Sequence, residues 1–174
     1  DLTEFWSAQA IPYPIDQFSS VAGELEDLQG RFNLNWLAIA GSPTGTGVPQ
    51  YTVSQERFIR LLQALPSVDI GEAEAIAITT SIGDWLDPDS VNLGRGAEDD
   101  FYFSQTPPYR AANRLMVSVT ELLAVANVTP EIYAALAPWV SALPDSVALN
   151  IHTAPPVVLR TINEAENLQP LSEN

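Results

Sequence analysis

The sequence predicts an α+β chain in which two short sheet segments flank an all-helical block from about residue 52 to 144. Three observations carry that prediction. Phe32, Leu34 and Trp36 alternate with Asn33 and Asn35, and Val147, Leu149 and Ile151 alternate with Asn150 and His152, the period-two pattern of half-buried strands. Between these stretches, apolar residues recur at three- and four-residue spacing behind capping residues, as amphipathic helices require. Fourteen prolines keep the elements short.

Taken in order, Leu2, Phe5 and Trp6 are near helical spacing, so residues 1–10 read as a short helix that Pro12 and Pro14 end. Residues 18–38 read as a β-hairpin turning at Gln29-Gly30. Gly41 to Gln50, GSPTGTGVPQ, is a surface loop, and it lacks the Lys and Ser/Thr that a phosphate-binding loop needs. Ser54 can cap a helix that presents Phe58, Leu61, Leu62 and Leu65 and stops at Pro66. Gly71 to Leu86 is a second helix, with Trp85 near its end. Ser118 and Glu121 form a capping box ahead of Leu122, Leu123 and Val125, and Thr129-Pro130 starts the next helix with a cap and an N1 proline. The Val147–Ile151 strand is expected to pair with the Phe32–Trp36 strand. Thr153 or Ala154 then caps a last helix through Val158, Leu159 and Ile162, before a polar tail.

Composition excludes several functions. Seven Lys plus Arg against 22 Asp plus Glu give a formal charge of −15, opposite to what nucleic acid or anionic lipid attracts. Without cysteine there is no disulfide framework or thiolate metal site, and a single histidine, His152, cannot supply the His and Cys sets that zinc sites are usually built from. No stretch reaches the roughly 18–20 apolar residues of a membrane span.

The densest chemistry lies in DWLDPDSVNLGRGAEDDFYFSQTPPYRAAN, residues 84–113. Asp84, Asp87, Asp89, Glu98, Asp99 and Asp100 stand on it, with Gly94 and Gly96 between the two acidic groups. Carboxylates spaced along an irregular, glycine-containing loop suit calcium, which needs six to eight oxygens converging at about 2.3–2.6 Å. Without a cation the same charges repel one another. A solvated acidic loop is the other reading of these residues. The spacing is not that of an EF-hand, because no D-x-[DN]-G follows Asp87 and Asp89.

The runs WLDPD, GAEDDFY and PPYRAAN, with DLQGRFNLNWL at 27–37, SVTELLAV at 118–125 and LNIHTAPPVVLRTI at 149–162, resemble the K-type minor pseudopilin family of bacterial type II secretion systems. The resemblance spans most of the chain. It implies a pilin-like fold, an antiparallel sheet packed on an N-terminal helix, interrupted by a large inserted α-helical domain with helical hairpins. The boundaries that follow are 1–51 for the first part of the pseudopilin domain, 52–144 for the insert with its acidic loop, and 145–174 for the return strand and last helix. The resemblance also implies an inner-membrane-anchored N-terminal helix ahead of Asp1, further helical sequence beyond Asn174, and a periplasmic location at the pseudopilus tip. The partners it implies are the I- and J-type minor pseudopilins, with exported proteins as a further class, and the cofactor is Ca2+. Calcium binding carries over best to Asp87, Asp89, Glu98 and Asp99, and less directly to Asp84 and Asp100. Of Phe32, Leu34 and Trp36, with Phe5 and Trp6, part is expected to cover the chain's own core and the rest to be available to those partners.

An enzyme is the competing class. Two carboxylates of the 84–100 loop can be read as the acid and base of an extracytoplasmic hydrolase. Against that reading, all the acids come from one loop, and no nucleophile elbow or H-E-x-x-H accompanies His152. A calcium-dependent binding module is the remaining alternative.

Overall fold

The computed structural model describes residues 12–38 and 50–173. Their elements run β1 (Tyr13–Pro14), β2 (Ser20–Val21), β3 (Phe32–Asn33), α1 (Val53–Gln63), α2 (Glu72–Leu86), α3 (Asp99–Phe103), α4 (Pro130–Leu136), β4 (Val140–Ser141) and α5 (Pro156–Leu159), with 3₁₀ turns at Leu28–Gly30, Leu34–Leu37, Val119–Ala124 and Ala137–Trp139. Helix and strand are thus mixed, as expected. The expected helix over 1–10 and most of the 41–50 loop lie outside the described residues. No helix among the described residues is long and apolar enough to cross a membrane.

The helices stand close to where their caps place them. Thr52, rather than Ser54, caps α1 in a reciprocal capping box with Gln55. A second box, Ser118 with Glu121, opens the turn Val119–Ala124, which is 3₁₀ rather than α-helical. Thr129 caps α4 with Pro130 in its first turn.

The strands are where the sequence reading fails. An antiparallel hairpin does form, but it pairs Tyr13 with Val21 and Pro14 with Ser20, so it begins ahead of the expected 18–38 span and does not turn at Gln29-Gly30. Phe32–Asn33 instead pairs in parallel with Val140–Ser141, and 34–37 winds into a 3₁₀ turn. The alternation misleads because both of its parities are buried: Phe32 and Leu34 are in the core, and so are Asn33 and Asn35. The asparagines are buried because they satisfy backbone groups. Asn33 accepts from Leu143 N at 3.1 Å and donates to Pro144 O at 2.9 Å. Asn35 accepts from Met116 N at 2.8 Å and donates to Met116 O at 3.0 Å and Leu143 O at 2.8 Å.

Residues 147–151 form no strand. They still reach the 27–37 segment through single bonds, Asn150 N to Gln29 O at 2.9 Å and Trp36 Nε1 to Val147 O at 2.9 Å. Asp27 accepts from the side chains of Asn150 and Thr153 at 2.8 Å each, which competes with a ladder for the same polar groups. His152 is exposed, and it does not belong to the carboxylate cluster found among the described residues.

Phe32, Leu34 and Leu37 join Phe58, Leu62, Ile78, Ile82, Leu122, Leu136, Val140 and Val158 in one buried cluster. The Phe32 ring lies 5.1 Å from Phe58 and 5.2 Å from Trp36, centroid to centroid. Phe32 and Leu34 are therefore the part of that apolar set that covers the core, and Phe5 and Trp6 lie outside the described residues.

Candidate metal centre

The site is built where α2 ends. Asp87 leaves helical geometry as the C-cap of α2, its N–H still bonded to Gly83 O at 2.9 Å, and Pro88 prevents the helix from continuing. Two short-range turns then stiffen the chain. Asp87 Oδ1 accepts from Asp89 N at 3.3 Å, and Asp89 Oδ1 from Val91 N at 2.8 Å. Gly94, at φ 63°, reverses the loop in a conformation that a side chain would disfavour. The chain returns as Glu98, which stands at the N-cap position of α3.

Glu98 does not cap α3 with its side chain. That side chain turns inward, and carboxylate oxygens of Asp87, Asp89 and Glu98 come within 4.8 Å of one another. Asp87 and Glu98 are buried, and Asp89 is the most open of the three. Both carboxylate oxygens of Glu98 are buried with no hydrogen-bond partner. An unpaired buried carboxylate beside two more is costly unless something positive sits among them.

The electrostatics carry the same message. Burial, then the charges of Asp84, Asp87, Asp89 and Asp99, push the Glu98 carboxyl up to about 7. Burial also pushes Asp84 up to about 7, partly offset by the Leu93 amide, and raises Asp87 with help from Asp89. These groups resist ionising together.

A calcium ion fits this arrangement. Its bonds to oxygen of about 2.3–2.6 Å let one ion touch oxygens up to about twice that distance apart, which is the spread of the Asp87, Asp89 and Glu98 oxygens. Carboxylate donors without sulfur or nitrogen favour a hard cation over zinc or copper.

The remaining expected ligands fall elsewhere. Asp84 is fully buried next to the cluster, but its carboxylate accepts Leu93 N at 3.0 and 3.3 Å. Asp99 Oδ1 accepts from Ala111 N at 3.1 Å, and its Oδ2 lies 3.9 Å from Arg110. Asp100 is exposed in the first turn of α3. The structure thus brings Asp87, Asp89 and Glu98 together and turns Asp99 away to latch the PPYRAAN segment.

That segment packs beside the site. Asn113, at φ 47°, donates its backbone N–H to Trp85 O at 3.0 Å and its amide to Asp89 O at 3.4 Å. Trp85, Tyr102 and Tyr109 pack together, with Trp85 and Tyr102 5.2 Å apart and Tyr102 and Tyr109 5.2 Å apart. Tyr109 Oη donates to Ala124 O at 2.9 Å and Tyr102 Oη accepts from Ala126 N at 3.3 Å, tying α3 and the segment after it to residues 124–126. Arg110 stays exposed over the Phe103 ring, 5.1 Å from its centroid.

Arg60 is a buried charge that no sequence motif marks. It is fully buried on α1, pairs with Glu56 at 3.1 Å, and donates to the carbonyls of Thr161, Glu164 and Asn167. The Glu56/Arg60 spacing of four residues was the available signal, and it reads equally well as a surface pair.

Residues 30–145 match the family model for type II secretion system (T2SS) protein K. The chain is 36% identical over 160 residues to type II secretion system protein K of Aeromonas hydrophila, covering 90% of this chain and 47% of that protein. It is 36% identical over 168 residues to the protein K of Pseudomonas aeruginosa, covering 95% of this chain and 46% of the relative. The chain therefore spans about half the length of the curated relatives it matches. Among solved structures it matches, at TM-score 0.77 and 30% identity, a chain of the GspK–GspI–GspJ complex of the enterotoxigenic Escherichia coli type 2 secretion system, covering 92% of this chain and 55% of that one. Its 84–113 loop and the core around it lie inside the matched family region, and the chain belongs to the type II secretion system protein K family.

Proposed function

We propose that this chain is the extracytoplasmic part of a non-enzymatic minor pseudopilin that caps the tip of the type II secretion pseudopilus and helps initiate its assembly. The observation that carries this reading is the likeness to a chain solved in complex with GspI and GspJ, at TM-score 0.77. By that likeness its partners are the I- and J-type minor pseudopilins. Its location is then periplasmic, on an inner-membrane anchor of the family's kind. The helices between β3 and β4 would prevent another subunit from stacking above.

Apolar surface supports an assembly role. On and beside the β1–β2 hairpin, Phe18 is 95% exposed, Tyr13 72% and Leu25 71%. Large side chains so open to water favour burial against another surface. The net charge of −15 opposes self-association over the same surface.

Within this reading Asp87, Asp89 and Glu98 hold a calcium ion that offsets their mutual repulsion and ties the end of α2 to the start of α3. The ion supplies cohesion, not catalysis. Affinity in the range of about 10⁻⁴–10⁻³ M matches that of extracellular modules.

The test is to mix the soluble chain with the periplasmic parts of the I and J pseudopilins at tens of micromolar and measure mass by light scattering. A heteromeric complex is expected. A stable homopolymer, or three separate species, would overturn the tip assignment. Calorimetry showing no calcium heat, with a melting temperature unchanged by chelator, would overturn the calcium site.

A further inference from the structure

This inference rests on the calcium reading above and concerns Asp84, which lies beside the three converging carboxylates without joining them. Asp84 stands in the last turn of α2, three residues before Asp87. Its side chain accepts Leu93 N at 3.0 and 3.3 Å, and the Ala97 amide adds to the same anchor. Between those two residues the loop turns tightly, Gly96 N donating to Leu93 O at 3.0 Å. A Cβ built on Gly96 would overlap Oδ2 of Asp84, so the loop backbone lies directly on this carboxylate. A helix C-terminus carries partial negative charge and disfavours a buried acid. Asp84 is nevertheless fully buried there, and its oxygens face loop amides.

We propose that Asp84 is a positioning residue rather than a cation ligand: it pins residues 93–97 to the end of α2 and so sets where Glu98 stands relative to Asp87 and Asp89. Asp87 departs from the same helix end, so one buried carboxylate fixes both sides of the site. Gly96 is part of the device, because only a residue without a side chain lets the loop reach the anchor. Partners that hold the groups around a metal typically change affinity by about tenfold to a hundredfold when removed.

The experiment uses the soluble chain, calcium calorimetry, and terbium luminescence lifetimes in H2O and D2O, which count the waters on the bound ion. Asp84→Ala is expected to weaken calcium about tenfold to a hundredfold with no added water on terbium, since no ligand has left. Asp84→Asn keeps an acceptor for Leu93 and is expected to recover part of the affinity. Gly96→Ala should weaken calcium in the parent chain and much less in the Asp84→Ala background, where the overlapping carboxylate is gone. An added water in Asp84→Ala, or equal losses from Gly96→Ala in both backgrounds, would overturn the assignment while leaving the calcium site intact. Absence of calcium binding by the parent chain, at concentrations where it is folded, would overturn the site itself and this role with it. If Asp84→Ala does not fold, the water count of Asp84→Asn and the binding loss of Gly96→Ala decide the matter: an added water or unchanged binding rejects the proposal.

Discussion

Arg60 and Glu56 form a buried ion pair one helical turn apart, 3.1 Å between Nη2 and Oε2, and both ends also hold the C-terminal segment. Arg60 donates to Thr161 O at 2.9 Å, Glu164 O at 2.7 Å and Asn167 O at 2.6 Å, while Glu56 accepts from Glu166 N at 2.9 Å. A guanidinium is suited to this task because its fixed fork of donors meets several carbonyls at once. The pair is thus a socket that folds residues 161–167 onto α1.

Arg60→Met should therefore cost far more than a surface charge change. It leaves Glu56 unpaired and three carbonyls without donors, for which about 3–5 kcal/mol is expected. Urea denaturation should show it, and exchange of the Glu166 amide should accelerate. A loss below about 1 kcal/mol would mean that water reaches these groups.

Asn35→Ala should destabilise the chain by about 1–3 kcal/mol or more, because the Met116 amide and two carbonyls lose their partner in the core. Asn35→Leu should not restore stability, although it places an apolar side chain at a buried position, because the same backbone groups stay unpaired. Thermal melts of the two variants separate these outcomes.

Calcium removal should lower the melting temperature, and Glu98→Gln should abolish that sensitivity. At calcium a hundredfold above its dissociation constant, linkage contributes about 2.7 kcal/mol. The variant keeps the shape of the side chain, so a melting temperature that still responds to chelator would place the ion elsewhere. No glycan, ester or peptide turnover is expected of either form. Turnover abolished by Glu98→Gln with the fold intact would favour the hydrolase reading.

The pH dependence has a definite sign. In the calcium-free chain Glu98 and Asp84 are pushed up to about 7 from ordinary values of 4.5 and 3.8. Folded chain then holds protons that unfolded chain releases, so stability rises as pH falls from about 7 towards about 4.5 and is lowest above 7. With calcium bound, the ionised carboxylates are satisfied and the slope near neutral pH should flatten. Melting temperatures from pH 5 to 8, with chelator and with calcium, check both curves. Identical slopes would count against calcium at these residues.

Phe18→Asp should weaken any heteromeric complex with the I and J pseudopilins while leaving the melting temperature nearly unchanged, because Phe18 is 95% exposed. Light scattering of the mixture and a melt of the isolated variant read the two effects separately. Unchanged assembly would move the interface away from this hairpin.

The sequence by itself determined most of the helices and the acidic loop. The Ser118 capping box, the Thr129-Pro130 start and the helix over Glu72–Leu86 depend on neighbours within four residues, so local chemistry specifies them, while the α1 cap falls at Thr52 two residues ahead of Ser54. It also marked the three carboxylates that the structure brings together, because Asp87, Asp89 and Glu98 lie on one short loop. Only the tertiary structure decided which oxygens converge, since Asp99 and Glu98 are adjacent in sequence yet one latches Ala111 and the other faces Asp87. It likewise decided the strands. Phe32 pairs with Val140 across more than a hundred residues, and alternation tells core from solvent only when polar residues face water. Here Asn33 and Asn35 are buried because distant backbone groups at Met116, Leu143 and Pro144 need them. Arg60 follows the same logic, its burial made tolerable by carbonyls a hundred residues away.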